Sequence, residues 1–572
     1  MTTPEPQAYD EAMRAVRILL PILCVAWPAV AEPDALKVHK IETRRIEKEE
    51  ARYWREFQGR FQEAYLAFRE PLEQADANPG RFPEANYDYS AFCGLYDEYV
   101  NFQRAMGEAD LRLAEAGGPK ALAHLMESLQ QLCKQSDKLD NEIREARPKS
   151  RSIFDQRPVV ERHGLATRRA MLIEALGKSE GAAEALAAEG WKKATRADGK
   201  RGITYRVAVL DALARCGETG RPLLIEQLGS KLSSLRIAAI EALAGGPLAD
   251  ELVAQLSCEK AVVRRALLQE LERSEKIDPK WVVALVPFLT KAHGGELDLC
   301  VRSLAKATKQ KFGNAPKAWQ EWLDEYRSEI NSGGFDPESV EVREATPAPV
   351  PDQMQLYGLE APAEAFVFVI EGSLRLAVPA DVDVQRTKIR WDWKGTRRQW
   401  EQDSPAHQTI LHGQLAKAFG SMPKDALFGM ILLQARFTLD FLNEKKLIAP
   451  TTKNVRIALE MIEKAPASGW CSPMEGIRGA AQLGGLDPES SSDFPDAKLD
   501  TIFFVNSGDP AGGRYLTPES LVAAFERFNR FRRITVHALR FCNAKEPGEL
   551  VMKGLAASSG GQYVWLNKPP KE

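Results

Sequence analysis

A glycine-rich segment, residues 508–515, resembles a phosphate-binding loop at first sight because it contains Gly508, Gly512 and Gly513. It lies between a predicted strand and a predicted helix, where backbone N–H groups hold a phosphate in nucleotide-binding proteins. It lacks the lysine and the serine or threonine with which such loops bind phosphate and Mg²⁺. We therefore interpret the segment as a glycine-rich turn.

Sequence motifs for nucleophilic catalysis and metal binding are absent. The chain has no G-x-S-x-G and no H-E-x-x-H motif, and His407 and His412 are five residues apart. Its eight cysteines include no C-x-x-C pair, which excludes a zinc ribbon and a thioredoxin-type site. The acidic residues 487–500 lack the glycine turn of a calcium-binding loop. We predict that the chain is not an enzyme, with an enzyme of unrecognised type as an alternative.

Residues 388–400 combine tryptophan and basic side chains in a way that could serve protein binding. Four of them are candidates for contacting a partner: Trp391, Trp393, Arg397 and Trp400. Exposed Trp and Arg side chains are enriched among the residues that dominate protein–protein binding energies. An alternative is that the segment is a lid packed over the edge of a sheet.

The elements around these residues are those of an α/β domain. Residues 365–370 form a continuous apolar run, which predicts a central parallel strand covered on both faces. Helix and strand patterns then alternate along the chain and end with a strand at residues 562–566. This alternation predicts a doubly wound, Rossmann-like α/β sheet over residues 357–568.

The chain before this domain is predicted to be all-α. Residues 32–150 have the pattern of long, charged, coiled-coil-like helices with an aromatic stripe along the first. Residues 160–328 contain an internal repeat, R-x-A-x-[LI]-x-A-L and close variants, whose first four copies begin at Arg169, Arg206, Arg236 and Arg264. Spacings of about 30 residues fit two helices per repeat, which predicts an α-solenoid.

The solenoid is predicted to end in a cap that carries Trp319 and Trp322, followed by a linker over residues 329–356. The linker contains the run A-T-P-A-P-V-P, which is stiff and extended and cannot join a core.

Residues 1–31 have the features of a leader peptide. With Met13 as the start, Arg14 and Arg17 precede an apolar stretch, and Ala29-Val30-Ala31 is a cleavage pattern. We expect export to the periplasm, the cell surface or the medium, with no membrane span after the leader is removed. In that setting, Cys93 and Cys133 could pair. The balance of 77 basic and 80 acidic residues argues against nucleic acid as a partner.

Four segments resemble, in chain order, a von Willebrand factor A (VWA) domain. The sequence F-V-F-V-I-E-G-S-L-R at residues 366–375 is similar to its first strand and loop. Residues 500–510 are similar to its fourth strand and loop. Residues 452–477 resemble the segment between them, and residues 555–563 resemble the closing glycine turn and strand. The repeats resemble short bacterial HEAT-like repeats, and bacterial exported proteins combine the two.

The resemblance implies a metal site that has degenerated. In the family, Asp-x-Ser-x-Ser, Thr and Asp positions surround one Mg²⁺ at the carboxyl edge of the sheet. Here those positions are occupied, in order, by Glu371, Ser373, Arg375, Cys471 and Ser507, with Asp509 nearby. A guanidinium and a thiol replace the hard oxygen ligands that Mg²⁺ prefers. We therefore expect no bound metal and no cofactor, and an ion pair between Glu371 and Arg375.

The sequence thus predicts a metal-independent scaffold or adhesion-type protein. Protein partners would contact the helical ridge and the rim of the sheet. The alternative is a divalent-metal-dependent adhesion module that uses Glu371, Ser373 and Asp509.

Overall fold

The computed structural model describes most of the chain. The described residues are 32–77, 90–145, 156–196, 201–244, 250–345, 354–361, 364–372, 407–434, 439–444, 446–465, 472–486, 499–508, 514–541 and 548–566. Residues outside these ranges include 1–31, which were predicted to be a leader, 373–406 with the Trp and Arg candidates, Cys471 and Asp509.

Four long helices form the amino-terminal part of the structure. They are α1 (Glu32–Ala77), α2 (Ser90–Ala116), α3 (Pro119–Glu145) and α4 (Arg157–Lys178). The aromatic stripe of α1 faces the other helices: Tyr53 and Phe57 are buried, and the Tyr53 hydroxyl donates to the Leu95 carbonyl at 2.8 Å. Burying these rings provides the apolar stabilisation that the many charged residues of α1 cannot supply.

Shorter helices follow in the repeat region. They are α5 (Ala182–Ala185), α6 (Trp191–Arg196), α7 (Arg201–Arg215), α8 (Arg221–Leu228), α9 (Ser233–Leu243), α10 (Asp250–Val253), α11 (Ala261–Arg273), α12 (Trp281–Leu289) and α13 (Gly294–Thr308). The first arginine of a repeat can bind an acid of the next: Arg169 contacts Asp211 at 3.1 Å, and Arg264 binds both oxygens of Glu296 at 3.0 Å. The repeats are therefore joined by ion pairs as well as by their buried aliphatic side chains.

The helix α14 (Pro316–Ser332) closes this region. Its Trp319 and Trp322 are buried, and the Trp319 indole donates to the Gly313 carbonyl at 2.8 Å. The chain then runs back along the last repeat, where the Gln310 amide donates to the Glu341 carbonyl at 3.3 Å.

The carboxyl-terminal region is a six-stranded, mostly parallel sheet, which confirms the predicted all-α then α/β layout. A hairpin of β1 (Met354–Leu356) and β2 (Leu359–Ala361) precedes it. The sheet consists of β3 (Ala365–Glu371), β4 (Leu427–Leu433), β5 (Leu439–Phe441), β6 (Thr501–Asn506), β7 (Thr535–Arg540) and β8 (Tyr563–Trp565). The strand order is β5-β4-β3-β6-β7-β8, and only the edge strand β5 is antiparallel. The order reverses direction between β3 and β6, the place where doubly wound proteins bind ligands.

Helices cover both faces of this sheet. The face formed by Phe366, Phe368 and Ile370 packs on α15 (His407–Gly420) and α16 (Thr452–Glu463). The opposite face packs on α17 (Pro473–Leu483), α18 (Pro518–Asn529) and α19 (Gly548–Ser559). The Thr517 side chain and Ser520 form a capping box that determines where α18 begins.

The repeats dock on the amino edge of the sheet. The Arg265 guanidinium donates to the Leu499 carbonyl just before β6 at 3.3 Å, and the Gln269 amide donates to the Ser559 carbonyl before β8 at 3.1 Å. Arg302 donates to the Gly560 carbonyl in the same turn at 2.7 Å. One surface of the helical ridge is therefore occupied by the α/β region of the same chain.

Two further sequence predictions can be compared with the structure. Within the described residues, no helix is both long and apolar enough to cross a bilayer. The Cys133 thiol forms no disulfide, so the possible pair with Cys93 is not formed in the structure, and burial raises the pKa of Cys133 to about 11.

Candidate functional site

Polar residues end three adjacent strands at the carboxyl edge of the sheet. Glu371 ends β3, Asn506 ends β6 and Arg540 ends β7. Asn506 pairs in register with Arg540, which pairs with Trp565 on β8, and Glu371 follows the pair Ile370–Val505. We call Glu371, Asn506, Arg540 and Trp565 the carboxyl-edge row.

The four residues of the row point to one face of the sheet. Along β3, β6 and β7 they continue the alternation of the buried residues that pack on α17, α18 and α19. Glu371, Asn506 and Arg540 are 4%, 1% and 1% exposed. Burying a carboxylate, an amide and a guanidinium costs free energy unless each has a partner, so their contacts determine what the row can bind.

The carboxylate of Glu371 is already engaged within the chain. Its Oε2 accepts a hydrogen bond from the backbone N–H of Ser507 at 2.6 Å. The contact joins two loops that the VWA resemblance implied to face each other. They meet because β3 and β6 are parallel neighbours and end at the same edge. This hydrogen bond fixes the orientation of a carboxylate that lies inside the fold.

Asn506 stabilises the loop after β6. Its Oδ1 accepts from the Gly508 N–H at 2.7 Å, a local turn that determines the orientation of the amide. Gly508 has φ +82°, and a Cβ there would lie 2.2 Å from the Gly548 carbonyl oxygen at the start of α19. The loop therefore needs glycine at 508, both for its backbone conformation and for its contact with α19.

Arg540 places a buried positive charge at this edge. Its Nε donates to the Ser507 carbonyl at 3.3 Å, and its Nη1 lies 3.9 Å from a carboxylate oxygen of Glu549. Its Cζ is 6.0 Å from the centroid of the Trp565 ring. A fixed guanidinium two strands from Glu371 opposes the approach of a divalent cation, because like charges repel strongly in a poorly solvated site.

Two large apolar side chains of this region are exposed. Trp565, the last member of the row, and Leu550, which lies in the first turn of α19, are each 46% exposed. Tryptophan and arginine together are typical of the residues that carry protein–protein affinity. On the opposite face, the ring of His407 packs on Phe541 at 5.5 Å, and burial lowers the pKa of His407 to about 4, so it is neutral at pH 7.

The predicted site residues therefore separate into two groups. Glu371 and Ser507 are brought together at the carboxyl edge. Ser373, Arg375, Cys471 and Asp509 lie outside the described residues, as do the partner-binding candidates, so the expected pair of Glu371 with Arg375 stays a prediction.

Asn506 and Arg540 were missed by the sequence reasoning. Each is a polar residue at the last position of an apolar strand, and ligands of doubly wound sheets bind outside those strand ends. That rule identifies both residues once the strand ends are known from the structure.

A concave region, about 410 Å³ in volume, lies between the repeats and α18. Its lining residues are Glu241, Gln269, Arg273, Glu526, Arg527, Asn529, Arg530, Arg533 and Ser558. Several of its arginines are paired across the interface, including Arg530 with Asp211 at 2.7 Å and Arg533 with Glu270 at 2.9 Å. We interpret this region as an interface between two parts of the chain.

Neither a scan against protein-family models nor a search of curated proteins found a match to this sequence.

Proposed function

We propose that this chain is a non-enzymatic protein-binding module that acts outside the cytoplasm. Its VWA-like α/β domain would recognise a partner protein at the carboxyl edge without a divalent metal. The observation that carries the proposal is the hydrogen bond from the Ser507 N–H to the buried Glu371 carboxylate. It engages the side chain at the position where a VWA domain has its first metal ligand.

The charge of the edge supports the same proposal. Arg540 supplies a buried guanidinium in the row that a metal would otherwise occupy. The exposed Trp565 and Leu550 beside it offer apolar area for a partner.

The helical region would then act as a platform. The HEAT-like repeats hold the amino edge of the sheet through Arg265, Gln269 and Arg302. This arrangement directs the opposite, carboxyl edge away from the repeats. A rigidly held edge loses less conformational entropy when a partner binds.

Calorimetry with Mg²⁺, Mn²⁺ and Ca²⁺ on the whole chain tests the independence from metal. We expect no saturable heat for any of the three ions. Saturable binding in the micromolar range that is lost in Ser373→Ala would instead establish the metal-dependent adhesion module.

Affinity capture from an extract of the source organism, in the presence of EDTA, tests the binding function. We expect a specific partner to be retained by the wild-type chain and lost from the Trp565→Ala variant. The exposed Arg456→Met change in α16 is the matched control. Capture that requires Mg²⁺, or that is the same in all three proteins, would contradict the proposal.

A further inference from the structure

Two buried hydrogen-bond donors in the carboxyl-edge row have no acceptor. They are Nδ2 of Asn506 and Nη2 of Arg540, and neither has a partner in the part of the chain that the structure describes. The Asn506 amide cannot simply be reversed, because its Oδ1 accepts the Gly508 N–H at 2.7 Å. An unsatisfied buried donor is costly, so two of them side by side call for an explanation.

The two donors belong to neighbouring strands. Asn506 and Arg540 are register partners in β6 and β7, whose backbones are separated by about 5 Å. Both side chains point to the same face of the sheet. One group with two acceptor oxygens could therefore accept from both donors at once.

Arg540 supplies the positive charge for an anion, and the two nearest carboxylates are engaged elsewhere. Glu371, the neighbour of Asn506 in the row, accepts the Ser507 N–H at 2.6 Å. Glu549 lies 3.9 Å from Nη1 of Arg540, whereas its other oxygen is 2.7 Å from the Lys553 ammonium. The third guanidinium donor, Nε, is used by a neutral backbone carbonyl. The amino end of α19 packs against the Asn506 loop and adds the partial positive charge of a helix amino terminus.

We propose that Asn506 and Arg540 bind a carboxylate, supplied by an aspartate or glutamate side chain of the partner protein. One oxygen would accept from the Asn506 amide and the other from the Arg540 guanidinium. The inference rests on the proposed function and adds the chemistry of the partner. A guanidinium would thus perform the charge recognition that a metal ion performs in a metal-dependent site.

The neighbouring side chains fit a protein source for the carboxylate. Trp565 continues the row beyond Arg540 and is half exposed, so its ring can cover the apolar stem and backbone of an inserted acidic residue. A free carboxylate ion would gain nothing from this ring. The partner's peptide should therefore bind more tightly than a simple carboxylate.

Titration of the whole chain with N-acetyl-aspartyl-methylamide tests the proposal. The asparagine analogue, which has the same shape without the charge, is the control ligand. We expect saturable binding of the aspartyl compound only, weakened about tenfold or more in Arg540→Met and in Asn506→Leu, because each change removes a donor to a charged acceptor. Arg456→Met, in the exposed helix α16, should bind like the wild type.

Further measurements exclude indirect explanations. Arg540→Lys keeps the positive charge and should bind the aspartyl compound more tightly than Arg540→Met does. Circular dichroism shows whether each variant is folded. If Arg540→Met does not fold, the aspartyl binding of Asn506→Leu and Arg540→Lys tests the inference instead. Equal binding of the aspartyl and asparaginyl compounds, or no binding by the wild type, would overturn the inference.

Two other results distinguish the source of the carboxylate from the proposed binding function. Acetate that binds as tightly as the aspartyl compound would overturn a partner side chain as the source. Failure of all carboxylates while a protein partner is still captured in EDTA would refute the inference and leave the proposed function intact.

Discussion

Asp500 and Arg265 show how single residues are constrained where the repeats meet the sheet. They are 7% and 2% exposed, and the Asp500 carboxylate accepts the Glu364 N–H at 3.2 Å. The charge of Arg265 favours ionised Asp500, but burial has the larger effect and raises the pKa of Asp500 to about 6. Arg265 therefore helps to position the two regions through its hydrogen bond to the Leu499 carbonyl, whereas the buried charge of Asp500 adds little net stability.

Replacing Asp500 by Asn should change how stability depends on pH. The pKa of Asp500 is about 6 in the folded chain and 3.8 in the reference state, so folded protein binds more protons between these values. Stability therefore falls as pH rises through this window, by about 2–3 kcal/mol from this group alone. Urea unfolding at pH 4, 5, 6 and 7 should show Asp500→Asn gaining on the wild type as pH rises. The control Asp425→Asn, at an exposed position, should show no such gain. If the stability of Asp500→Asn and that of the wild type changed in parallel with pH, the raised pKa of Asp500 would be refuted.

Among the secondary-structure elements, the turn between α19 and β8 links the repeats to the strand that carries Trp565. Gly560 has φ +72°, and the Gly561 N–H donates to the Ala556 carbonyl at 2.9 Å, a common way for a helix to end at glycine. The same turn accepts hydrogen bonds from Gln269 and Arg302 of the repeats. It positions β8, and with it the exposed Trp565.

Gly561→Ala should destabilise this element strongly. A Cβ at 561 would lie 2.0 Å from the Val536 carbonyl oxygen, a backbone atom of β7 that cannot move without breaking the sheet. We expect a loss of about 3 kcal/mol in the free energy of unfolding, at the upper end of single substitutions.

Gly413→Ala is the matched control, because a Cβ at that position in α15 meets nothing within 4 Å. It should stabilise the chain by about 0.5–1 kcal/mol. Equal effects of the two changes would show that the turn tolerates a side chain.

At the scale of the whole molecule, the helical and α/β regions are joined by ion pairs. Arg530 of the α/β region binds Asp211 at 2.7 Å and Glu241 at 2.6 Å. Arg533, only 3% exposed, contacts Glu241 and Glu270. The acids come from successive repeats, so several repeats contact the sheet together, and we expect the two regions to unfold in one transition.

Arg533→Met should weaken this connection. The change leaves Glu241 and Glu270 partly uncompensated in a buried interface, which costs about 3 kcal/mol. Denaturant unfolding followed by tryptophan fluorescence and by circular dichroism should then give two separate transitions.

The exposed pair of Arg343 and Glu325 provides the control. Arg343→Met should cost less than about 1 kcal/mol and leave one transition. Coincident transitions in Arg533→Met would contradict the role assigned to the interface.

Local sequence patterns were enough to predict the elements and part of the site. Continuous apolar runs and alternating helix signals predicted the α/β region, because burial on both faces of a parallel strand leaves a direct trace in sequence. They also placed Glu371 and Ser507 at the ends of strands β3 and β6. Their proximity was implied by the VWA resemblance, and the structure pairs the two strands as parallel neighbours that end at the same edge.

Tertiary structure alone decided which edge of the sheet the repeats cover and which side chains lie together at the carboxyl edge. Arg265, Gln269 and Arg302 look like ordinary helix-face residues in sequence, yet they hold the amino edge of the sheet. Asn506 and Arg540 are 34 residues apart in the sequence and meet only because β6 and β7 pair. Such contacts depend on how completed elements pack, and the periodicity of a single segment carries no information about them.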